Sequence, residues 1–166
     1  MHFSRRTAEL LHEDHCGTIV VLEALEEMVA KAGRRPPDVS AAVTKNTLEK
    51  IANAIEGEIR GHFAFEENEL FTRLSDAGDG DISEHLAEEH RAILPLGEAT
   101  SLLARQALAD GFTDESWAAF KEKTGELVER LLAHIQKEEM ALLPMLDELL
   151  DAETDLALSE AYGDVH

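Results

Sequence analysis

Apolar residues recur every three or four positions along most of this chain. The first apolar stripe holds Leu11, Ile19, Leu22, Leu25 and Val29, and similar stripes run through residues 48–65 and 127–145. This spacing places the apolar side chains on one face of an α-helix, and no stretch shows the period-two alternation of a half-buried strand. The pattern therefore predicts an all-α protein.

Three short segments rich in glycine, proline and aspartate divide this pattern, at residues 33–38, 76–81 and 110–113. Each has a glycine suited to follow a helix and a polar residue suited to cap the next one: Gly33 with Asp38, Gly78 with Asp81, and Gly111 with Thr113. The divisions predict helices at roughly 4–32, 39–75, 82–109 and 114–150. Pro95 and Pro144 are expected to kink or end the last two.

Short connections make neighbouring helices antiparallel, so these four helices predict an up-down-up-down four-helix bundle. We expect residues 1–150 to form this domain and residues 151–166 to form an acidic C-terminal tail or a short helix.

Polar residues occupy six positions on the apolar stripes where a bundle normally has leucine or isoleucine: His15, His62, Glu66, His90, His134 and Glu138. Both carboxylates follow a histidine by four residues, a spacing that puts the two groups of each pair on one helix face. Burial of six such groups without partners would be very unfavourable. A metal centre shared by all six would provide that partner.

The six residues form an internal repeat. His15 and His90 are 75 residues apart, and the two His-x-x-x-Glu pairs are 72 apart. We therefore expect two helical hairpins related by a pseudo-twofold axis, each offering two imidazoles and one carboxylate.

This ligand count suits two metal ions. Two bridging carboxylates and two histidines per ion, with an oxo or hydroxo bridge, would leave one open position on each. Imidazole with carboxylate favours iron, with manganese or zinc as alternatives. The lack of a cysteine in the set argues against a cysteine-type zinc site and an iron–sulfur cluster. A ferritin-like site needs Glu-x-x-His on two helices, and this chain has only Glu9 with His12.

The order of these residues resembles the hemerythrin-like, HHE cation-binding family over about residues 8–148. The adjoining residues agree: Asp14-His15, His62-Phe63-x-x-Glu66-Glu67, Glu89-His90-Arg91 and His134-Ile135-x-x-Glu138-Glu139. The resemblance implies a non-haem di-iron centre with two bridging glutamates. Oxygen-carrying members have a further histidine four residues before the one on helix 3, where this chain has Leu86, so the chain resembles the bacterial variant with four histidines.

The charge limits the choice of partners. The chain has 35 acidic and 15 basic residues, a formal charge of −20, which disfavours nucleic acid and anionic membranes. No apolar run approaches the ~20 residues of a membrane span, and no secretory signal is present. Cys16 is the only cysteine, so we expect a cytoplasmic protein.

Other residues near the six have simpler interpretations. His12 could contact a ligand or be one itself, but a partly exposed position near the bundle end is favoured. Glu58 could reach toward the centre, but a solvated position or a contact with a ligand is favoured. His85 lies about 140° around the helix from His90, so it is interpreted as a non-ligand. Glu67, Glu89 and Glu139 are expected to face solvent or a neighbouring helix. His2 and His166 need no role, and Tyr162 lies outside the four core helices.

The expected function is binding of oxygen or nitric oxide in a sensing, protective or stress-response role, with a possible protein partner. A dry pocket is expected, because Ile19, Ile59, Leu86 and Leu131 lie within about a turn of the ligands. The alternatives are a di-iron enzyme acting on nitric oxide or peroxide, and an iron donor in iron–sulfur cluster repair. No further acid or base is clearly placed to deliver protons, which favours a role without catalysis.

Overall fold

The computed structural model describes residues 3–165, apart from the side chains at positions 58, 164 and 165. The predictions for Glu58, His2 and His166 therefore lie outside the described residues. In the described part of the chain, every regular element is helical, which confirms the all-α fold class. No helix there combines the length and apolar character needed to cross a bilayer.

Five long helices follow one another. Helix α1 spans Arg6–Ala32, helix α3 spans Gly80–Asp110, and helix α5 spans Ala152–Val165. Helix α2 covers residues 42–76 and is α-helical over Ala42–Asn53, Arg60–Phe65 and Phe71–Asp76, with wider π-helical turns at Ala54–Ile59 and Glu66–Leu70. Helix α4 covers residues 114–149, α-helical over Asp114–Lys137 and Leu143–Leu149, with a π-helical turn at Glu138–Leu142.

Helices α1 to α4 pack as the predicted bundle, with α3 between α2 and α4 and with α1 against α2 and α4. The apolar core has two clusters. One surrounds Leu25, Ile51 and Phe120, and the other surrounds Leu11, Leu74 and Leu146. The buried histidines and glutamates lie where the two clusters meet, so both clusters hold the polar layer in place.

Helix α5 packs against the start of α1. The Asp155 carboxylate accepts hydrogen bonds from the backbone amides of Arg6 and Thr7, both at 2.9 Å. Helix N-termini have unpaired amides, so Asp155 caps α1 from a distant part of the sequence. Leu158 and Tyr162 extend from α5 into the second core cluster.

The glycine and Thr113 predictions are confirmed, and two cap predictions are wrong. Gly33, Gly78 and Gly111 all have positive φ, and Thr113 forms a capping box with Ser116. Asp38 instead closes a turn by accepting hydrogen bonds from Ser40, so the helix starts later, at Ala42. Asp81 lies inside the first turn of α3, which begins at Gly80.

The two prolines behave differently. Helix α3 continues through Pro95 to Asp110. Pro144 lies in the first turn of the α-helical stretch that follows the π-helical turn of α4. At that position a missing N–H is tolerated.

Candidate metal centre

All six residues singled out in the sequence lie together in the bundle interior. Helix α1 supplies His15, α2 supplies His62 and Glu66, α3 supplies His90, and α4 supplies His134 and Glu138. None is more than 6% exposed. Two pairs share a helix, His62 with Glu66 and His134 with Glu138, and their spacing of four places imidazole and carboxylate on one face.

The donor atoms form two groups, in each of which one atom per residue lies within 4.8 Å of all the others. One group contains Glu66, His90, His134 and Glu138, and the other contains His15, His62 and Glu138. Oε1 of Glu138 lies 3.1 Å from Nε2 of His15 and 3.3 Å from Nε2 of His134, so it joins the two groups.

Hydrogen bonding within the protein leaves this layer unsatisfied. Both carboxylate oxygens of Glu66 and Oε2 of Glu138 are buried without a hydrogen-bond partner. Nε2 of His90 approaches Oε1 of Glu66 to 3.2 Å, but without hydrogen-bond geometry. An unsatisfied buried polar group costs about 1–3 kcal/mol. A cation bound among these atoms would remove that cost, so the residues fit a metal such as iron, manganese or zinc.

The pKa shifts of the buried groups also favour a bound metal ion. Burial and the charge of Glu138 raise the pKa of Glu66 well above its usual range. Burial and the nearby His134 lower the pKa of His90 to about 3. Burial opposes protonation of His62, but Glu66, Asp14 and Glu138 outweigh it and raise its pKa well above the ordinary value. Protons therefore occupy part of the layer, and a bound metal would displace them.

Each of the four histidines has a carboxylate facing its outer nitrogen, Nδ1. The distances are 3.4 Å from Asp14 to His62, 2.9 Å from Glu89 to His134, 3.3 Å from Glu139 to His15 and 3.8 Å from Glu67 to His90. These four contacts obey the pseudo-twofold repeat, since each carboxylate adjoins one of the six residues in the sequence. The contacts at His62 and His134 are hydrogen bonds, whereas those at His15 and His90 are close approaches without hydrogen-bond geometry. A carboxylate that accepts from a histidine ligand orients it and raises its basicity.

The expectation that Glu67, Glu89 and Glu139 face solvent or a neighbouring helix needs refinement. All three do face a neighbouring helix, and what they meet there is an imidazole of the centre. Their positions beside a histidine or glutamate of the repeat are the sequence signal that could have identified them.

Tyr162 is the contact that the sequence did not predict. Its hydroxyl lies 3.2 Å from Nδ1 of His62, and its ring packs on Phe65 with centroids 4.8 Å apart. Because α5 folds back along α1, a residue from the end of the chain reaches the centre. Only the docking of α5 reveals this, since the apolar pattern of that segment is weak.

Two other histidines lie at the edge of the centre. His12 donates to Glu139 at 2.6 Å and lies 3.7 Å from the exposed Cys16 thiol. His85 is 53% exposed and accepts a hydrogen bond from Lys137, and it belongs to neither group of donor atoms among the described residues.

A small cavity adjoins one half of the centre. The volume that the centre of a water-sized sphere can occupy there is about 20 Å³, which is roughly enough for one water molecule. Four apolar residues line the cavity, Ile59, Phe63, Leu131 and Ile135, together with the polar Asp14, His15, Thr18, His62 and Glu138. Of the apolar residues expected at a dry pocket, Ile59 and Leu131 line it, while Ile19 and Leu86 pack in the core clusters.

The other half is closed by aromatic rings. Phe63 stacks on His90 with centroids 3.7 Å apart and planes inclined by 6°, and Phe71 stacks on it at 5.5 Å. A small ligand therefore has room beside His15 and His62, whereas His90 is covered.

The two buried carboxylates of the centre lie at local changes in helix geometry. Glu66 and Glu138 each begin a π-helical turn, at equivalent positions of the repeat. Such turns often occur at functional sites because they re-aim side chains without ending the helix.

Comparison with known proteins agrees with this chemistry. The family model described as the hemerythrin HHE cation binding domain matches residues 6–146, which is most of the chain. No curated protein matches the chain.

Proposed function

The chain belongs to the hemerythrin HHE cation-binding family, and from this we propose that it is a non-haem di-iron protein that binds oxygen or nitric oxide in a sensing, protective or stress-response role. The observation that carries the proposal is the pair of fully buried carboxylates, Glu66 and Glu138, at the centre of four imidazoles: three of their four oxygens lack a hydrogen-bond partner, and the fourth, Oε1 of Glu138, contacts His15. Within a protein interior, this arrangement calls for bound cations.

Each ion would be held by two histidines from one group, with both carboxylates between them. Glu66 approaches both groups, at 3.2 Å from Nε2 of His90 and 3.5 Å from Nε2 of His62. Glu138 approaches His15 and His134, so either glutamate can bridge. When bound, iron supplies reversible one-electron chemistry and open coordination positions. The six residues proposed as ligands are His15, His62, Glu66, His90, His134 and Glu138.

The surrounding residues favour a small, weakly polar ligand. Ile59, Phe63 and Leu131 form the walls of the cavity beside the His15–His62 half. Its size excludes most metabolites but admits a diatomic molecule. Asp14 lines it as well, so one carboxylate other than the bridging pair reaches the space.

An enzyme acting on peroxide or nitric oxide is the second candidate, and a specific contact favours it. His12 donates to Glu139, whose same oxygen lies 3.3 Å from His15. This contact gives an acid–base connection from the partly exposed His12 to the centre.

We also propose a reducing, cytoplasmic setting. Cys16 is exposed as a free thiol, and a chain with one free cysteine suits that compartment.

Metal analysis and rapid kinetics test the proposal. Protein purified from iron-replete cells should contain two iron ions per chain, and the reduced protein should bind nitric oxide at iron. A single zinc ion per chain at full occupancy would reject the di-iron centre. Fast steady-state consumption of peroxide or nitric oxide would establish the enzymatic alternative instead.

A further inference from the structure

The carboxylate that contacts Nδ1 of His134 also forms an ion pair with a lysine. Glu89 accepts a hydrogen bond from Nδ1 of His134 at 2.9 Å, and its other oxygen accepts one from Nζ of Lys137 at 2.5 Å. Glu89 is 21% exposed and Lys137 is 46% exposed, so the ion pair is partly shielded from water. His85 also accepts from Lys137 at 3.1 Å, which fixes the ammonium beside Glu89.

The repeat provides an internal comparison. Asp14 and His62 are the equivalents of Glu89 and His134, and the residue 72 positions before Lys137 is Phe65. Phe65 has no charge to offer, and it packs instead on Tyr162, whose hydroxyl approaches His62. A cation in one half of the repeat thus corresponds to an aromatic ring and a neutral hydroxyl in the other.

We propose that Lys137, acting through Glu89, makes the two halves of the centre electronically unequal and favours the reduced state of the ion held by His90 and His134. The inference rests on the proposed di-iron function. Lys137 is a positioning residue here, since it touches Glu89 and no proposed ligand.

The physical reason is charge compensation. A carboxylate that accepts from a ligand histidine makes the imidazole a stronger donor, which favours the higher oxidation state of the metal. An ammonium on the same carboxylate withdraws part of that charge. Phe63 and Phe71 exclude water from the adjacent His90, whereas water screens the half-exposed ammonium in part, so a modest effect is expected.

The expected consequence is an ordered reduction. When dithionite delivers one electron to the diferric protein, one ferric ion becomes ferrous, and the His90–His134 position should take that electron. The His15–His62 position, beside the cavity, should stay ferric until the second electron arrives.

The test compares Lys137→Met with wild type and with the charge-preserving Lys137→Arg. Lys31→Met is the matched control, because Lys31 pairs with Glu27 on α1 at 2.9 Å, away from the centre. Iron content is measured first. Each protein is then titrated with dithionite in the presence of mediators, with Mössbauer and electron paramagnetic resonance spectra taken at half-reduction.

In Lys137→Met the ratio of ferric to ferrous affinity at one ion should rise about tenfold, within the range for such outer contacts. A tenfold rise in that ratio lowers the first midpoint potential by about 59 mV for a one-electron step. Lys137→Arg should stay near wild type and Lys31→Met should be unchanged.

The outcomes separate the two proposals. Wild-type protein without two iron ions would overturn the di-iron function and this inference with it. Two iron ions in every variant, with an unshifted first potential in Lys137→Met, would overturn the inference alone. An equal shift in Lys31→Met would also overturn it, because the effect would then be a general response to net charge.

Discussion

Replacing Glu66 by methionine should stabilise the metal-free protein and weaken the metal-loaded one. Both oxygens of Glu66 are buried without a hydrogen-bond partner, and burial together with Glu138 raises its pKa. Replacing an unsatisfied buried polar group by an apolar side chain of similar volume should raise the free energy of unfolding by about 1–3 kcal/mol. For a chain of this size, each kcal/mol shifts Tm by about 2–4 °C, so apo Glu66→Met should melt roughly 2–12 °C above apo wild type.

Metal should reverse this order. A ligand present at about a thousand times its Kd stabilises the native state by about 4.1 kcal/mol. Wild type would gain this amount, whereas Glu66→Met lacks one of the two carboxylates placed to bridge the ions. Wild type should therefore melt higher once ferrous ion is added under anaerobic conditions, and the variant should bind less iron.

Thr124→Val is the matched control, because the Thr124 hydroxyl is also buried without a partner. It lies ten residues before His134 on the same helix, about 15 Å along the axis. Its effect on Tm should be the same with and without metal. An apo Glu66→Met that melts below apo wild type, or one that keeps full iron content, would refute the argument that Glu66 is held in the core for the metal.

Three further predictions follow from other contacts. His90→Ala should lose much of its iron and His85→Ala should retain it, by elemental analysis; equal loss would make His85 a ligand. Asp155→Ala should lower the free energy of unfolding by about 1 kcal/mol in urea melts at pH 7. Burial would raise the pKa of Asp155, but its hydrogen bonds from the amides at the start of α1 lower it. The stability that Asp155 contributes should therefore be present above about pH 3.9 and disappear at lower pH. A stability difference between wild type and Asp155→Ala that does not change with pH would refute this. Because the pKa of His62 is raised, metal affinity in chelator competition should increase with pH; a pH-independent affinity would contradict this.

The parts of this fold that depend on local periodicity could be predicted from the sequence. The apolar stripes identified the four bundle helices, and polar residues on those stripes identified the six groups that the structure brings together. His85 and His90 illustrate why this works: a difference of five residues places them on different helix faces, and the structure leaves His85 at the surface while His90 is buried.

The remaining features depend on contacts between distant segments. Tyr162 reaches His62 only because α5 docks on α1, and the apolar pattern of α5 is too weak to predict that docking. Asp38 has the composition of a helix cap, but its hydrogen bonds to Ser40 end in a turn. The π-helical turns that begin at Glu66 and Glu138 depart from the regular 3.6-residue period, and the apolar stripes do not reveal them.

The repeat also has an evolutionary consequence. One hairpin supplies a histidine on its first helix and a His-x-x-x-Glu pair on its second, together with the outer carboxylates Asp14 and Glu67. Two copies of such a hairpin, related by a twofold axis, would already form a six-ligand centre as a homodimer, the commonest symmetry of assembled proteins. Joining the copies into one chain through residues 77–79 would then free each half to diverge. Lys137 opposite Phe65, and a single fifth helix that brings Tyr162 to His62, are differences that a strictly symmetric dimer could not acquire.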